Sequence, residues 1–182
     1  MAIRKVARLG HPVLRQPAVD VAREDITGPH MRQLIVDMWE TMHEYGGVGL
    51  AAPQIHESVR VAVIELDGID PRNPGDSAQF VLFNPRIQPN PVAPLIGTWE
   101  GCLSVPGMRG YVERPSEVRV DYLDEGATPR CIEIEGFLAV VFQHELDHLD
   151  GVVYVDRLKD PKLFSFNEEF SRYQMVSEAE VC

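Results

Sequence analysis

The sequence predicts a single α+β domain, and three observations predict it. The chain has 182 residues, 45% hydrophobic and 25% charged, which suits one soluble core. Two segments carry the 3.6-residue apolar period of a helix, while the stretches between them are short and alternate with period two. The helices do not alternate regularly with strands, so the elements call for short antiparallel or mixed strands rather than a doubly wound parallel sheet.

Residues 1–24 read as an extended arm, because Pro12 and Pro17 interrupt any helix. The first helix is predicted over 29–45, with Pro29 in the first turn. Met31, Leu34, Ile35, Met38, Trp39, Met42 and Tyr45 form its apolar stripe, and Gly46 and Gly47 stop it. Strands are expected at 59–66 and 79–84. A polar loop at 67–78 separates them, and four prolines make 85–97 turns or edge strand. Val118, Val120 and Tyr122 alternate as a half-buried strand, and Cys131, Ile132 and Ile134 are its expected partner, with Cys131 in the core. The second helix is predicted over 135–150, ending at Gly151, with Phe137, Val140, Val141 and Leu149 on its core face. A short helix is expected over 167–173.

Lys plus Arg is 17 and Asp plus Glu is 28, a formal net charge of −11. That balance speaks against wrapping a nucleic acid. No apolar run reaches the 18 or so residues of a membrane span, and the basic start lacks the apolar stretch of a secretory signal. Three widely spaced cysteines, Cys102, Cys131 and Cys182, do not make a disulfide framework and point to a reducing compartment, the cytoplasm.

The chemistry-bearing signal is His144-Glu145-Leu146-Asp147-His148. Two histidines four apart project from one helix face and can hold one metal ion, with Glu145 beside its water. A catalytic site of this type needs a third protein ligand and an open position. No histidine follows His148, and the downstream acids Asp150, Asp156, Glu168 and Glu169 are poorly placed or weakly patterned. Cys102, in Glu100-Gly101-Cys102-Leu103-Ser104-Val105-Pro106, is the better third ligand, since a thiolate bonds a divalent ion strongly. The alternatives are a small core residue or a nucleophile, the latter weakened because the histidines are already committed. Gly47-Val48-Gly49-Leu50-Ala51-Ala52-Pro53-Gln54 lacks the ending of a phosphate loop. It is either a tight turn or a place where bare backbone and the Gln54 amide approach a ligand.

The three segments 47–54, 100–104 and 143–148, in this order, resemble the signatures of the peptide deformylase family. RLGHPVLRQPA at 8–18 and VVYVDRLKD at 152–160 extend the likeness over nearly the whole chain. The resemblance implies a peptide deformylase-like fold built around the HExxH helix, as a single catalytic metallohydrolase domain over 1–182. It implies a cytoplasmic hydrolase of protein biosynthesis that removes the formyl group from formyl-methionyl nascent polypeptides and releases formate. One divalent ion is expected per chain, held by Cys102, His144 and His148. Fe²⁺ is the expected physiological ion, with Zn²⁺, Ni²⁺ or Co²⁺ in purified protein. Glu145 is expected as proton carrier, and Gln54 and the Leu103 backbone N–H as donors to the formyl oxygen. Val48, Phe137, Val140 and Val141 are expected to line a methionine slot near Thr98 and Trp99. Gly49 and Gly101 are expected to pair with the substrate backbone, Arg109 to lie along its path, and Glu100 with Arg114 to form a supporting ion pair. Transient ribosome association is compatible with such a substrate. Nucleic-acid binding and membrane binding are not expected, and the sequence does not fix the oligomeric state.

Two other classes fit parts of the pattern. A small peptidase could use the same HExxH helix, and would cleave internal peptide bonds without releasing formate. A silent peptide-binding protein would have no need of base and ligands together, and Cys102, Glu145, His144 and His148 are all present.

Overall fold

The computed structural model describes residues 2–67 and 77–174. The expected polar loop at 67–78 therefore falls almost wholly outside the described residues, as does Cys182. Helix α1 spans Pro29–Glu44, with Pro29 opening it and Gly46, at φ +67°, turning the chain away. Its stripe is buried as expected except for Trp39, which is partly buried, and Tyr45, which is exposed.

Strands β1 (Gly49–Ala51), β2 (Val61–Asp67), β3 (Ser77–Pro89), β6 (Glu117–Leu123) and β7 (Pro129–Glu135) form one sheet in the order β1-β2-β3-β6-β7. Strands β4 (Leu95–Cys102), β5 (Val105–Pro115) and β8 (Phe164–Phe166) form a second in the order β4-β5-β8. Every pair of named strands is antiparallel, and the only parallel pairing among the described residues is an isolated bridge between Val19 and Val59. Helix α2 spans Gly136–Leu149 and helix α3 spans Asn167–Tyr173.

The core follows the side-chain alternation of β2. Val61 and Val63 pack with Met31, Leu34, Ile35, Met38 and Met42 of α1. Ala62 and Ile64 point the other way, to Ala139, Phe142, Leu146 and Leu149 of α2. At β2 the sheet is thus filled on both faces, which explains the unbroken apolar run at 61–64. The other side of α2 meets β4 and β5. A third cluster, including Ala7, Leu14, Val105, Val112, Val153 and Tyr154, ties the N-terminal arm to the smaller sheet.

Three expectations change. Strand β3 does not stop at 84: its pairing with β6 shifts between Phe83 and Arg86, so Pro85 sits in a bulge that needs no ladder N–H. Asn84 takes φ +50° there, and its side chain bonds the backbone N–H and C=O of Val21, each at 2.8 Å. Cys131 is exposed on β7 rather than buried. Phe137 is 58% exposed, because it lies in the first turn of α2, beyond the edge of the apolar interface.

Candidate active site

The hairpin β4–β5 and helix α2 build the site together. Opposite Cys102 the ladder slips, the pairing shifting between Gly101 and Cys102, and the thiol comes to lie beside α2. The Cys102 Sγ is 3.3 Å from His148 Nε2. The ligand atoms of Cys102, His144 and His148 all lie within 4.8 Å of one another. One thiol and two imidazoles, converging from a strand end and a helix, are the donor types that hold Fe, Zn, Co or Ni.

His144 is steered by a buried partner. His144 Nδ1 meets Glu100 Oε2 at 2.8 Å, a carboxylate contact that fixes the orientation of the ring. Glu100 in turn accepts two bonds from Arg114, at 2.6 and 2.9 Å. The third guanidinium nitrogen of Arg114 donates to Asp147 at 2.8 Å, and Asp147 also accepts from Arg157. The ion pair expected between Glu100 and Arg114 is therefore part of a chain of four charged groups, with Arg114 1% exposed. Burial favours the neutral form of Glu100, but the bonds from His144 and Arg114 outweigh it and hold its carboxyl below the ordinary value.

Gln54 is set by its own backbone turn. Its Oε1 accepts from the Ala51 N–H at 2.8 Å, which leaves the amide N–H₂ facing Cys102 Sγ at 3.4 Å and Ser104 Oγ at 3.3 Å. Gly49 makes room for Glu145. A Cβ built there would lie 2.6 Å from both Cγ and Oε1 of Glu145, closer than any side chain tolerates. Glu145 Oε2 and His148 Nδ1 are buried with no hydrogen-bond partner, which is costly unless something else meets them. Burial pushes the Glu145 carboxyl up to about 7. Burial and the nearby His144 charge hold His148 well below its ordinary value, in the neutral form a ligand needs. Burial also opposes charge on His144, but bonds to Cys102 and Glu100 overcome it.

A cleft of about 780 Å³ opens over these groups. It brings together Val48, Gly49, Gln54, Gly101, Cys102, Leu103, Arg109, Phe137, Val140, Val141, His144 and Glu145, with Thr98 and Trp99. His148 lies beneath the surface, fully buried. Val140 and Val141 are buried in the floor, while Val48 and Phe137 stand half exposed at the mouth. Strands β1 and β4 are each the outermost strand of their sheet, and both border this cleft. At Gly101 a Cβ would meet only the Met108 carbonyl, at 3.7 Å, so a side chain there would stand in the cleft.

Sequence reasoning did not find Asp147, Ser104 or Asn167. Asp147 sits inside the HExxH motif, and its burial beside two arginines is a matter of tertiary contact. Asn167 bonds Arg109 from 58 residues away.

Comparison with known proteins decides the family. The polypeptide deformylase family model matches residues 3–163. The chain belongs to the polypeptide deformylase family. A peptide deformylase of Leptospira biflexa is 48% identical over 172 residues, covering 93% of this chain and 95% of the relative. One from Picosynechococcus sp. is 44% identical over 154 residues, covering 84% and 77%. The class I type b peptide deformylase of Acinetobacter baumannii, solved with Met-Ala-Ser bound, superposes with a TM-score of 0.78 at 36% identity, over 86% of this chain and 99% of that one. The Thermotoga maritima peptide deformylase gives 0.77 at 34% identity, over 88% and 100%. As a polypeptide deformylase, the chain is a metal-dependent hydrolase of protein biosynthesis, removing the N-terminal formyl group from nascent polypeptides. No helix among the described residues is long and apolar enough to cross a membrane.

Proposed function

We propose that residues 1–182 act as one catalytic domain in which Cys102, His144 and His148 hold a single divalent ion and Glu145 carries the proton. The observation that supports this is the convergence of the three ligand atoms within 4.8 Å, next to a carboxylate that only a glycine at 49 accommodates. When bound, the ion supplies Lewis acidity, acidifying a water and polarising the formyl carbonyl.

Glu145 takes a proton from the attacking water. Its carboxyl, raised to about 7, suits a group that must both accept and release a proton near neutrality. As the formyl oxygen gains charge, the Gln54 amide N–H₂ and the backbone N–H of Leu103 donate to it. The bond from the Ala51 N–H to Gln54 Oε1 fixes the amide in that sense before substrate arrives. Glu145 then returns the proton to the leaving amine, giving formate and a free methionine terminus. Gln54→Ala is expected to cost roughly 2–4 kcal/mol of transition-state stabilisation.

Val48, Phe137, Val140 and Val141 take the methionine side chain, and the backbone at Gly49 and Gly101 pairs with an extended peptide, a strand-addition mode. The Acinetobacter baumannii relative is solved with Met-Ala-Ser bound, a peptide that carries methionine. The physiological ion is Fe²⁺, with Zn²⁺, Ni²⁺ or Co²⁺ in isolated protein, since a thiolate and two imidazoles suit all four. The substrates are formyl-methionyl nascent peptides met in the cytoplasm, during transient association with the ribosome. The test is metal analysis of anaerobically purified protein together with formate release from a formyl-Met peptide. One ion per chain, lost with activity in Cys102→Ala, is the expected result. Formate release that persists without Cys102 and without metal would overturn the reading.

A further inference from the structure

We infer that Lys5, Arg8 and Arg109 make the mouth of the cleft a cationic selector, favouring nascent chains with an acidic residue shortly after the methionine. This inference rests on the proposed function and concerns the part of the substrate beyond the formyl group.

The chain as a whole carries −11, so a positive rim is against the average. The cleft is nevertheless lined by three cations, Lys5, Arg8 and Arg109. Its two acids, Glu100 and Glu145, are both buried, and Glu100 is bound to Arg114 and His144. Neither Lys5 nor Arg8 has an ion-pair partner among the described residues. Their neighbour Arg4 shows what a structural cation in the same segment looks like: it bonds Asp37 at 3.0 Å and Glu57 at 2.5 Å. The segment is not loose. Val6 and Ala7 are buried, the Ala7 N–H donates to the Gln54 carbonyl at 2.7 Å, and the Leu9 N–H to the Ser104 carbonyl at 2.8 Å. Lys5 and Arg8 are therefore anchored through their backbone to the two segments that carry Gln54 and Cys102.

Arg109 is held but not neutralised. Its Nε donates to Asn167 Oδ1 at 2.9 Å, and its guanidinium lies 4.5 Å from the centre of the Phe170 ring. Both partners sit on α3 and neither bears a charge. The arrangement fixes a planar cation in the cleft wall, and its terminal nitrogens make no hydrogen bond among the described residues. Three such charges within one concave, partly apolar opening reinforce each other, and the field acts over about a 10 Å screening length at 0.1 M salt.

The test uses metal-loaded protein and formyl-Met-Ala-X-Ser peptides with an amidated end, where X is Glu, Gln or Lys, assayed by formate release at about 50 mM and about 500 mM salt. The expected order of kcat/KM is Glu, then Gln, then Lys, with roughly a tenfold span at low salt, carried by KM and mostly lost at high salt. The Lys5→Ala/Arg8→Ala double variant is expected to shrink the Glu-to-Lys ratio severalfold. Asn167→Asp, which sets a carboxylate against Arg109 without removing it, should shrink it as well. Equal kcat/KM for the three peptides, or a ratio unchanged in both variants, overturns the inference. No formate from the Gln peptide overturns the proposed function instead.

Discussion

Helices α1 and α2 are alike in length, 16 and 14 residues, and pack on opposite faces of the same sheet, but they solve burial differently. Helix α1 hides one stripe and gives the rest to water, and five of its seven buried residues are apolar, Asp37 and Thr41 being the exceptions. Helix α2 is buried on every side from Ala139 to Leu149, and five of those eleven residues, Gln143, His144, Glu145, Asp147 and His148, are polar or charged. Most are partnered: Gln143 with the Pro115 and Ala139 carbonyls, Asp147 with two arginines, and His144 with Glu100. What remains unmatched is one oxygen of Glu145 and one nitrogen of His148. On a wholly buried helix, atoms left without a partner stand out, whereas on an amphipathic one water meets most polar groups.

The sharpest way to break this comparison is at Glu145. Glu145→Gln should keep the ion and lower turnover by about 10²–10⁴, as metal analysis and formate release on one sample would show. Turnover near wild type in the metal-loaded variant rejects the proton-carrier role. Next in size is Arg114→Leu, which leaves the buried Glu100 with His144 alone and Asp147 with Arg157 alone and should cost about 3–5 kcal/mol in urea unfolding. Replacing Arg32, exposed on the outer face of α1, should stay within about 0.5 kcal/mol; similar losses from both would erase the distinction between the helices. Met38→Ala, in the fully buried stripe of α1, should cost about 2–5 kcal/mol of stability with kcat preserved. Gly49→Ala reverses that pattern: the added Cβ displaces Glu145, and kcat should fall about 10- to 100-fold while the protein stays folded.

The smallest effect concerns Asp156, a surface acid paired with Arg15. Burial alone would raise its pKa, but the bonds from Arg15 and the Val153 N–H lower it below the usual 3.8. The stability it adds is present above that usual value and is lost as pH falls through the lower folded one. Asp156→Asn should therefore cost about 0.5 kcal/mol at pH 7, and unfolding curves of variant and parent should converge in strong acid.

Periodicity made both long helices, α3 and the paired strands β6 and β7 legible in the sequence. The hairpin β4–β5 was not, because Gly97, Gly101, Gly107 and Gly110 break its alternation and its reasons are three-dimensional. A Cβ at Gly110, for instance, would lie 2.6 Å from Leu158. Phe137 and Cys131 were misread as core because a short apolar run near the end of an element looks the same in or out of the interior. Motif spacing marked the histidines, Glu145 and Cys102. It was silent on Asp147 and Asn167, whose roles depend on partners far along the chain.

Strands β1 and β4 each end their sheet at the cleft, leaving main-chain amides and carbonyls on either bank. A polypeptide lying there would bridge the two sheets using groups that every protein possesses, whatever its side chains. A catalyst that met its clients through this common denominator could serve many different chains in turn, since each offers the same main chain.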